Sequence, residues 1–232
     1  MGYDKHQAKH EFTRWSESYD QCILQRLLFG PSHRAIIAKI KDRWDENPIR
    51  VLDVGCGTGI FAERILEALP NAQVVGIDLV EGMLTKGLER WKRHDQGVFA
   101  VQADSERLPF DRATFDVVTC ANSFHHYPNQ KRAVAEMKRV LRPNGRLLLI
   151  DGYRDRPWGW LIYDFCVATI EGAVHHASAS EIRHMFAEVG LEAIGQNIHR
   201  GAAPFLLTEA TAPESNKIFS APSREIASAT AR

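Results

Sequence analysis

The sequence predicts a doubly wound α/β fold: a seven-stranded, mostly parallel sheet with an antiparallel strand at its C-terminal edge, a helical N-terminal segment and a helical lid insertion. Two observations carry this expectation. Five short apolar runs, VLDVG, AQVVGID, GVFAVQAD, FDVVTCAN and RLLLID, alternate with segments of helical period. Such alternation implies parallel strands joined by right-handed crossovers. The first run is also followed at once by a glycine-rich turn, GCGTG, that opens the next helix.

The elements follow in order. Residues 1–48 read as an N-terminal helical cap, with Ile23, Leu24, Leu27 and Leu28 at helical spacing and a break near Gly30-Pro31. The main domain spans residues 49–211. Its helices run over Ile60–Leu69, stopped by Pro70-Asn71, then Glu81–Arg93, then Asn129–Leu141, stopped by Pro143-Asn144-Gly145, and Ala179–Val189, closed by Gly190. An aromatic-rich insertion at about 154–177 reads as a lid. Two last strands, near Glu192–His199 and Pro204–Ala210, form an antiparallel edge pair. Residues 212–232 are rich in Ala and Ser without period, so a disordered tail is expected.

Composition narrows the function classes. Lys plus Arg and Asp plus Glu both number 29, for a formal net charge of zero, which disfavours a partner that is a nucleic-acid backbone. Cys22, Cys56, Cys120 and Cys166 form no C-x-x-C pair, as expected of reduced thiols in the cytoplasm. No basic, apolar leader opens the sequence. The most apolar helical stretch, from Trp158 to Ile170, is too short to span a bilayer and contains Asp164, so no stable membrane insertion is expected. A homodimer is compatible with the sequence.

In an open parallel sheet, ligands bind at the carboxyl ends of the strands, and those positions are chemically coherent here. Gly55, Gly57 and Gly59 follow the first strand; glycine admits close backbone approach, and the helix beyond offers free N–H groups. The spacing is G-x-G-x-G. Ile60 stands where a dinucleotide fingerprint needs its last glycine, which argues against NAD. Asp78 ends the second strand, where a carboxylate can accept from both hydroxyls of a ribose. Asp104 and Ser105 end the third strand, suited to an adenine amino group, and Asn122 ends the fourth.

The runs VLDVGCGTGIFAERI, VVGIDLVEGML, ADSERLPFDRATFDVVTCANSFHHY and RAVAEMKRVLRPNGRLLLID together resemble the small-molecule, class I S-adenosylmethionine-dependent methyltransferases, a Rossmann-like family that includes the ubiquinone and menaquinone methyltransferases. The resemblance is loose over residues 12–210 and close over 50–151. It implies S-adenosylmethionine as cofactor and S-adenosylhomocysteine as product. By that resemblance Gly55, Gly57 and Gly59 line the methionine part, Asp78 holds the ribose, and Asp104 with Ser105 meets the adenine edge. Asn122 lies beside the donor, Leu79 and Met83 pack on the adenosine, and Asp53 orients the glycine loop. TRWSESYD resembles the segment that folds over the donor, which makes Tyr19 a contact. Asn144 departs from the family pattern, where a second glycine is usual after Pro143, but tolerates the turn.

Methyl transfer from a sulfonium is an in-line displacement, so collinear alignment in a dry pocket supplies much of the catalysis. A base is needed only where the acceptor must lose a proton. The candidates for that catalytic role are His125 and His126, just after the fourth strand. His175-His176 invites a metal reading with them. Adjacent histidines diverge, however, and no Cys or carboxylate cluster accompanies them at ligand spacing, so no metal site is expected. Trp158, Trp160, Tyr163 and Phe165 of the lid suggest an apolar or aromatic acceptor pocket. The expected function is methylation of a small organic molecule at O, N or C. The alternatives are a protein or nucleic-acid methyltransferase, disfavoured because ANSFHHY carries no proline pair, and a non-catalytic donor-binding protein.

Overall fold

A computed structural model describes residues 23–44, 47–92, 98–167, 174–201 and 203–214. Tyr19 and most of the expected tail lie outside the described residues. The chain opens with helix α1 (Ile23–Trp44), then alternates β1 (Ile49–Val54), α2 (Ile60–Ala68), β2 (Ala72–Asp78), α3 (Glu81–Trp91), β3 (Val98–Gln102) and β4 (Phe115–Ala121). A 3-10 turn at Phe124–His126 leads into α4 (Gln130–Val140) and β5 (Leu141–Gly152). After the insertion come α6 (Ala179–Glu188), β6 (Glu192–His199) and β7 (Phe205–Thr211); the insertion itself holds a short helix α5 (Pro157–Trp160) and a π-helical turn over Leu161–Val167.

The sheet order is β3-β2-β1-β4-β5-β7-β6. The first five strands pair in parallel, and β7 is antiparallel to both β5 and β6. The expected C-terminal hairpin therefore forms, with β7 inserted beside β5 and β6 outermost. The order reverses at β1 and β4, the switch point where their carboxyl ends splay apart and leave a crevice.

Two apolar layers cover the sheet. On one face Ile36 and Ile40 of α1, Phe61 and Ile65 of α2, and Leu84 and Trp91 of α3 pack on Val51, Val74, Val117 and Leu148. On the other, Val134 and Met137 of α4 and Ile182 and Phe186 of α6 pack on Leu52, Val118, Leu147 and Leu149. Asn129 caps α4 by accepting from the Arg132 N–H at 3.0 Å, and Ser178 with Glu181 forms a capping box on α6.

Two boundaries differ from the sequence reading. The N-terminal helix is not broken at Gly30-Pro31; α1 runs straight through it. Proline removes one backbone donor there, but the Ser32 hydroxyl donates to the Phe29 carbonyl at 2.8 Å, and burial of Ile36 and Ile40 on the sheet holds the following turns. At the other end, the tail boundary drawn at 212 falls inside the core. Ala212 is buried, donates to the Gly145 carbonyl and accepts from the Asn144 N–H. Asn144 takes a left-handed φ of 61°, which asparagine tolerates.

Ile40→Ala should cost about 2–5 kcal/mol, the range for emptying a fully buried aliphatic site, in denaturant unfolding. A change within about 0.5 kcal/mol, typical of surface positions, would mean that α1 does not pack on the sheet as described.

Candidate functional site

A cavity opens over the carboxyl ends of β1, β2, β3 and β4. Gly55, Gly57, Asp78, Leu79, Met83, Asp104, Ser105, Asn122 and His126 all line it, so the fold gathers these expected residues from the length of the domain. The glycine turn begins where β1 ends. The N–H groups of Gly55 and Cys56 both donate to the Ile77 carbonyl of β2 at 2.9 Å. On the other side the Val54 carbonyl accepts from the Ser123 and Tyr127 hydroxyls, each at 3.1 Å.

The three glycines do different work. Gly55 (φ 75°) is pressed against Ser123 and the Tyr127 hydroxyl, which a Cβ would meet. Gly57 (φ 53°) faces open space, so no side chain obstructs the approach of a ligand there. Gly59 does not line the cavity. It is buried behind the turn, where a Cβ would run into the Trp91 ring and where its carbonyl accepts from Trp91 Nε1 at 3.0 Å. Its expected contact with the donor is replaced by a packing role, because the helix must start close against α3.

The carboxylates set the electrostatics. Asp78 accepts from the Gly57 and Val80 N–H groups, each at 2.9 Å, which ties the end of β2 to the glycine turn. Burial nevertheless raises its pKa against these donors. Asp53 lies deeper. Its Oδ1 accepts from Thr119 Oγ1 at 2.9 Å, while Oδ2 has no partner among the described residues. Burial, opposed by the Thr119 hydrogen bond and reinforced by the charge of Asp78, pushes its pKa up to about 7. A bare peptide at Gly57, a ribose-ready carboxylate and an orphaned acid at the turn fit the residues needed to hold S-adenosylmethionine. Asn122 takes φ 57° and donates from Nδ2 to Ser32 Oγ at 3.1 Å, joining the end of β4 to α1.

Sequence reasoning missed the wall that α1 and α2 supply: Phe29, His33, Ile60 and Phe61. His33 packs against Phe61 in a tilted arrangement with ring centroids 4.6 Å apart, and its Nδ1 accepts from Arg64 Nη1 at 2.8 Å. Arginine only donates, so the His33 proton resides on Nε2. Burial and the Arg64 charge push its pKa down to about 3. Ser123 and Tyr127 stood in the run ANSFHHY, but nothing in their spacing revealed that they would brace the first strand.

The histidine pairs divide. His126 lines the cavity, and burial together with neighbouring His125 moves its pKa well below the ordinary range. His125 turns away from the cavity and donates from Nδ1 to Asp151 Oδ1 at 2.6 Å, both groups being buried. His175 is exposed while His176 is buried beside the same carboxylate, with Nδ1 3.5 Å from Oδ1. Burial alone would raise the pKa of Asp151, but the field and hydrogen bond of His125, with a smaller part from His176, hold it well below the usual carboxylate range. Adjacent histidines do diverge, as their spacing predicts. The consequence is the reverse of the one expected, because one member of each pair converges on Asp151.

The lid also differs from expectation. Trp158 and Trp160 are 58% and 51% exposed, and no described residue of the insertion lines the cavity. Tyr163 instead packs beside His176, ring centroids 5.1 Å apart. The side chain of Phe165 lies outside the described set. The apolar wall comes from α1 and α2; the sequence reading had placed α1 in an N-terminal cap and α2 in the main domain without assigning either to the pocket.

Residues 51–145 match the family described as "Methyltransferase domain". Together with the sheet order, this makes residues 51–145 similar to a methyltransferase domain. The chain is 37% identical over 150 residues to a demethylmenaquinone methyltransferase of Deinococcus radiodurans, covering 64% of this chain and 61% of that one. It is 34% identical over 141 residues to the Thermus thermophilus protein of the same name, covering 60% and 63%. The chain thus spans about three fifths of the length of the curated relatives it matches. A SAM-dependent methyltransferase from Aquifex aeolicus shares the fold with a TM-score of 0.67 at 20% identity, over 86% of this chain and 98% of that one. Among the described residues no helix is long and apolar enough to cross a membrane.

Gly59→Ala should destabilise the fold by about 2–4 kcal/mol, summing left-handed strain and overpacking against Trp91. Gly57→Ala, with open space around it, should cost only about 1 kcal/mol. Denaturant midpoints compare the two, and the reverse order would contradict the packing role of Gly59.

Asp53 predicts a pH dependence. Its folded pKa is raised, so the folded state holds a proton that the unfolded state releases from about pH 4 upward. Stability from this group is therefore lost as pH rises from about 4 to about 7, by an amount on the order of 4 kcal/mol. Asp53→Asn lacks the titration, so its stability relative to the wild type should improve steadily between pH 4 and pH 7 in unfolding experiments on the ligand-free protein. A constant offset between the two would show that Asp53 titrates in the folded state as it does in the unfolded chain.

Proposed function

We propose that this chain transfers a methyl group from S-adenosylmethionine to a small quinone-type acceptor in its reduced, hydroxylated form, and that it does so in the cytoplasm. The observation that carries this reading is one cavity lined both by polar strand-end residues and by aromatic side chains. Gly57, Asp78, Asp104 and Ser105 line it together with Phe29, Phe61, Tyr127 and His126. The naming of the relatives as demethylmenaquinone methyltransferases supports the acceptor class.

Bound S-adenosylmethionine supplies an activated methyl group on a sulfonium. The chain's own residues do the rest. The exposed peptide at Gly57 accommodates the methionine part, and Asp78 accepts from the ribose hydroxyls. Asp104 and Ser105 meet the adenine amino edge, while Leu79 and Met83 pack on its faces. Asn122, pinned to Ser32, closes the wall beside the donor. The aromatic and aliphatic side chains of α1 and α2 exclude water and hold an aromatic ring flat against the methyl group, the alignment an in-line displacement needs. Methylation of a dihydroxy ring requires one hydroxyl to lose its proton. His126 faces the cavity and takes that role of general base; His125, turned toward Asp151, does not.

The test pairs binding with turnover. Asp78→Ala should weaken S-adenosylmethionine binding by about 1.5–3 kcal/mol in isothermal titration. His126→Gln should leave that affinity nearly unchanged while lowering turnover about 10²–10⁴-fold on a reduced short-chain naphthoquinone, followed by mass spectrometry. Absence of methylated product from any reduced quinone would overturn the acceptor class. Full turnover of the His126 variant would remove the base.

A further inference from the structure

Beyond the methyl-transfer reading, we infer that His125, Asp151 and His176 form a binding site for one divalent transition-metal ion of the zinc type. The three side chains come together from three elements: the 3-10 turn after β4, the end of β5, and the last residues of the insertion before α6. All three are buried, and one ligand atom from each lies within 4.8 Å of the others.

The hydrogen bonding of the cluster is incomplete without a cation. Asp151 Oδ1 receives His125 Nδ1 at 2.6 Å and the Gly152 N–H at 2.8 Å. His176 Nδ1 stands at 3.5 Å, beyond ordinary N–H···O range. Both ring nitrogens of His176 and the Oδ2 atom of Asp151 are buried with no hydrogen-bond partner among the described residues. Buried polar atoms in native proteins are nearly always satisfied. One ring nitrogen of His176 and a carboxylate oxygen of Asp151, with the ring nitrogen of His125 beside them, are the ligand atoms that one ion would complete.

The donor set selects the kind of ion. Two imidazoles and one carboxylate suit zinc, iron or cobalt in the divalent state, while magnesium and calcium prefer all-oxygen sites. Metal–ligand bonds of about 2.0–2.2 Å place neighbouring ligand atoms a little over 3 Å apart, close to the separation of His176 and Asp151. The 2.6 Å contact opens when the ion displaces the Nδ1 proton of His125, which is released to solvent. The site is also held in shape from behind. The His175 N–H donates to the His125 carbonyl at 2.9 Å, and Gln130 Nε2 donates to the carbonyls of both Phe124 and His175. The rings of His125 and His176 stack with centroids 4.3 Å apart, and the Tyr163 ring packs beside that of His176.

The experiment uses full-length protein stripped with a chelator, titrated with cobalt(II) and with zinc(II) in the absence of methyl donor and acceptor. We expect one ion per chain, a visible cobalt spectrum of low coordination number with nitrogen ligands, and a higher melting temperature with zinc. His176→Ala and Asp151→Asn should each weaken binding at least about 10-fold, while His175→Ala, whose side chain is exposed, should bind as the wild type does. Circular dichroism checks the fold of each variant, and the wild-type spectrum and melting shift stand without any variant. Wild-type binding weaker than about 1 mM, or binding unchanged in His176→Ala, overturns the site. Donor titration on the same samples is a separate readout, so failure of the metal site and failure of the methyltransferase reading are distinguishable.

Discussion

At Val54 the backbone leaves the sheet, and its carbonyl is taken from the side by the hydroxyls of Ser123 and Tyr127 while the next two N–H groups are taken by Ile77. This double anchoring fixes the glycine turn between the ends of β2 and β4, so the crevice at the switch point has a set width before any ligand arrives. Asp78 adds a third tie through the Gly57 N–H, and Asn122 extends the lock to α1 through Ser32. Preorganised polar groups of this kind need not rearrange when charge shifts during reaction.

The same lock explains where buried charge is tolerated. Asp53 lies one strand-residue before Val54 under the turn, and its pKa is driven up by burial. Asp151 lies at the end of β5 and is driven the other way by two imidazoles. Two acids at comparable depth in one sheet thus favour opposite protonation states, decided by their partners.

Much of this was legible in the sequence. Strand and helix order followed from the alternation of apolar runs with helical segments, because parallel strands buried on both faces leave continuous apolar runs, and the strand-end polar residues identified the cavity because the fold class dictates where ligands bind. What stayed hidden was contact between distant segments. Gly59 resembled its two neighbours, but its role depends on Trp91, thirty-two positions away. Trp158 and Trp160 promised a pocket by composition alone, and composition does not say which way a short helix turns. The break placed at Pro31 followed local propensity, which tertiary packing of Ile36 and Ile40 overrode. Asp151 carried no signal in any histidine spacing, so the convergence of His125 and His176 on it needed the sheet to be seen.

The pairing of Gly59 with Trp91 bears on how this domain can change over generations. The indole fills the space that any side chain at 59 would occupy and donates to the carbonyl of that same residue. A substitution at 59 is therefore blocked until 91 has first become smaller, and a smaller residue at 91 leaves a void under the turn until 59 has grown. Neither order passes through a well-packed intermediate. The two positions are locked into joint inheritance by volume and by the left-handed backbone of Gly59, whatever ligand the cavity holds.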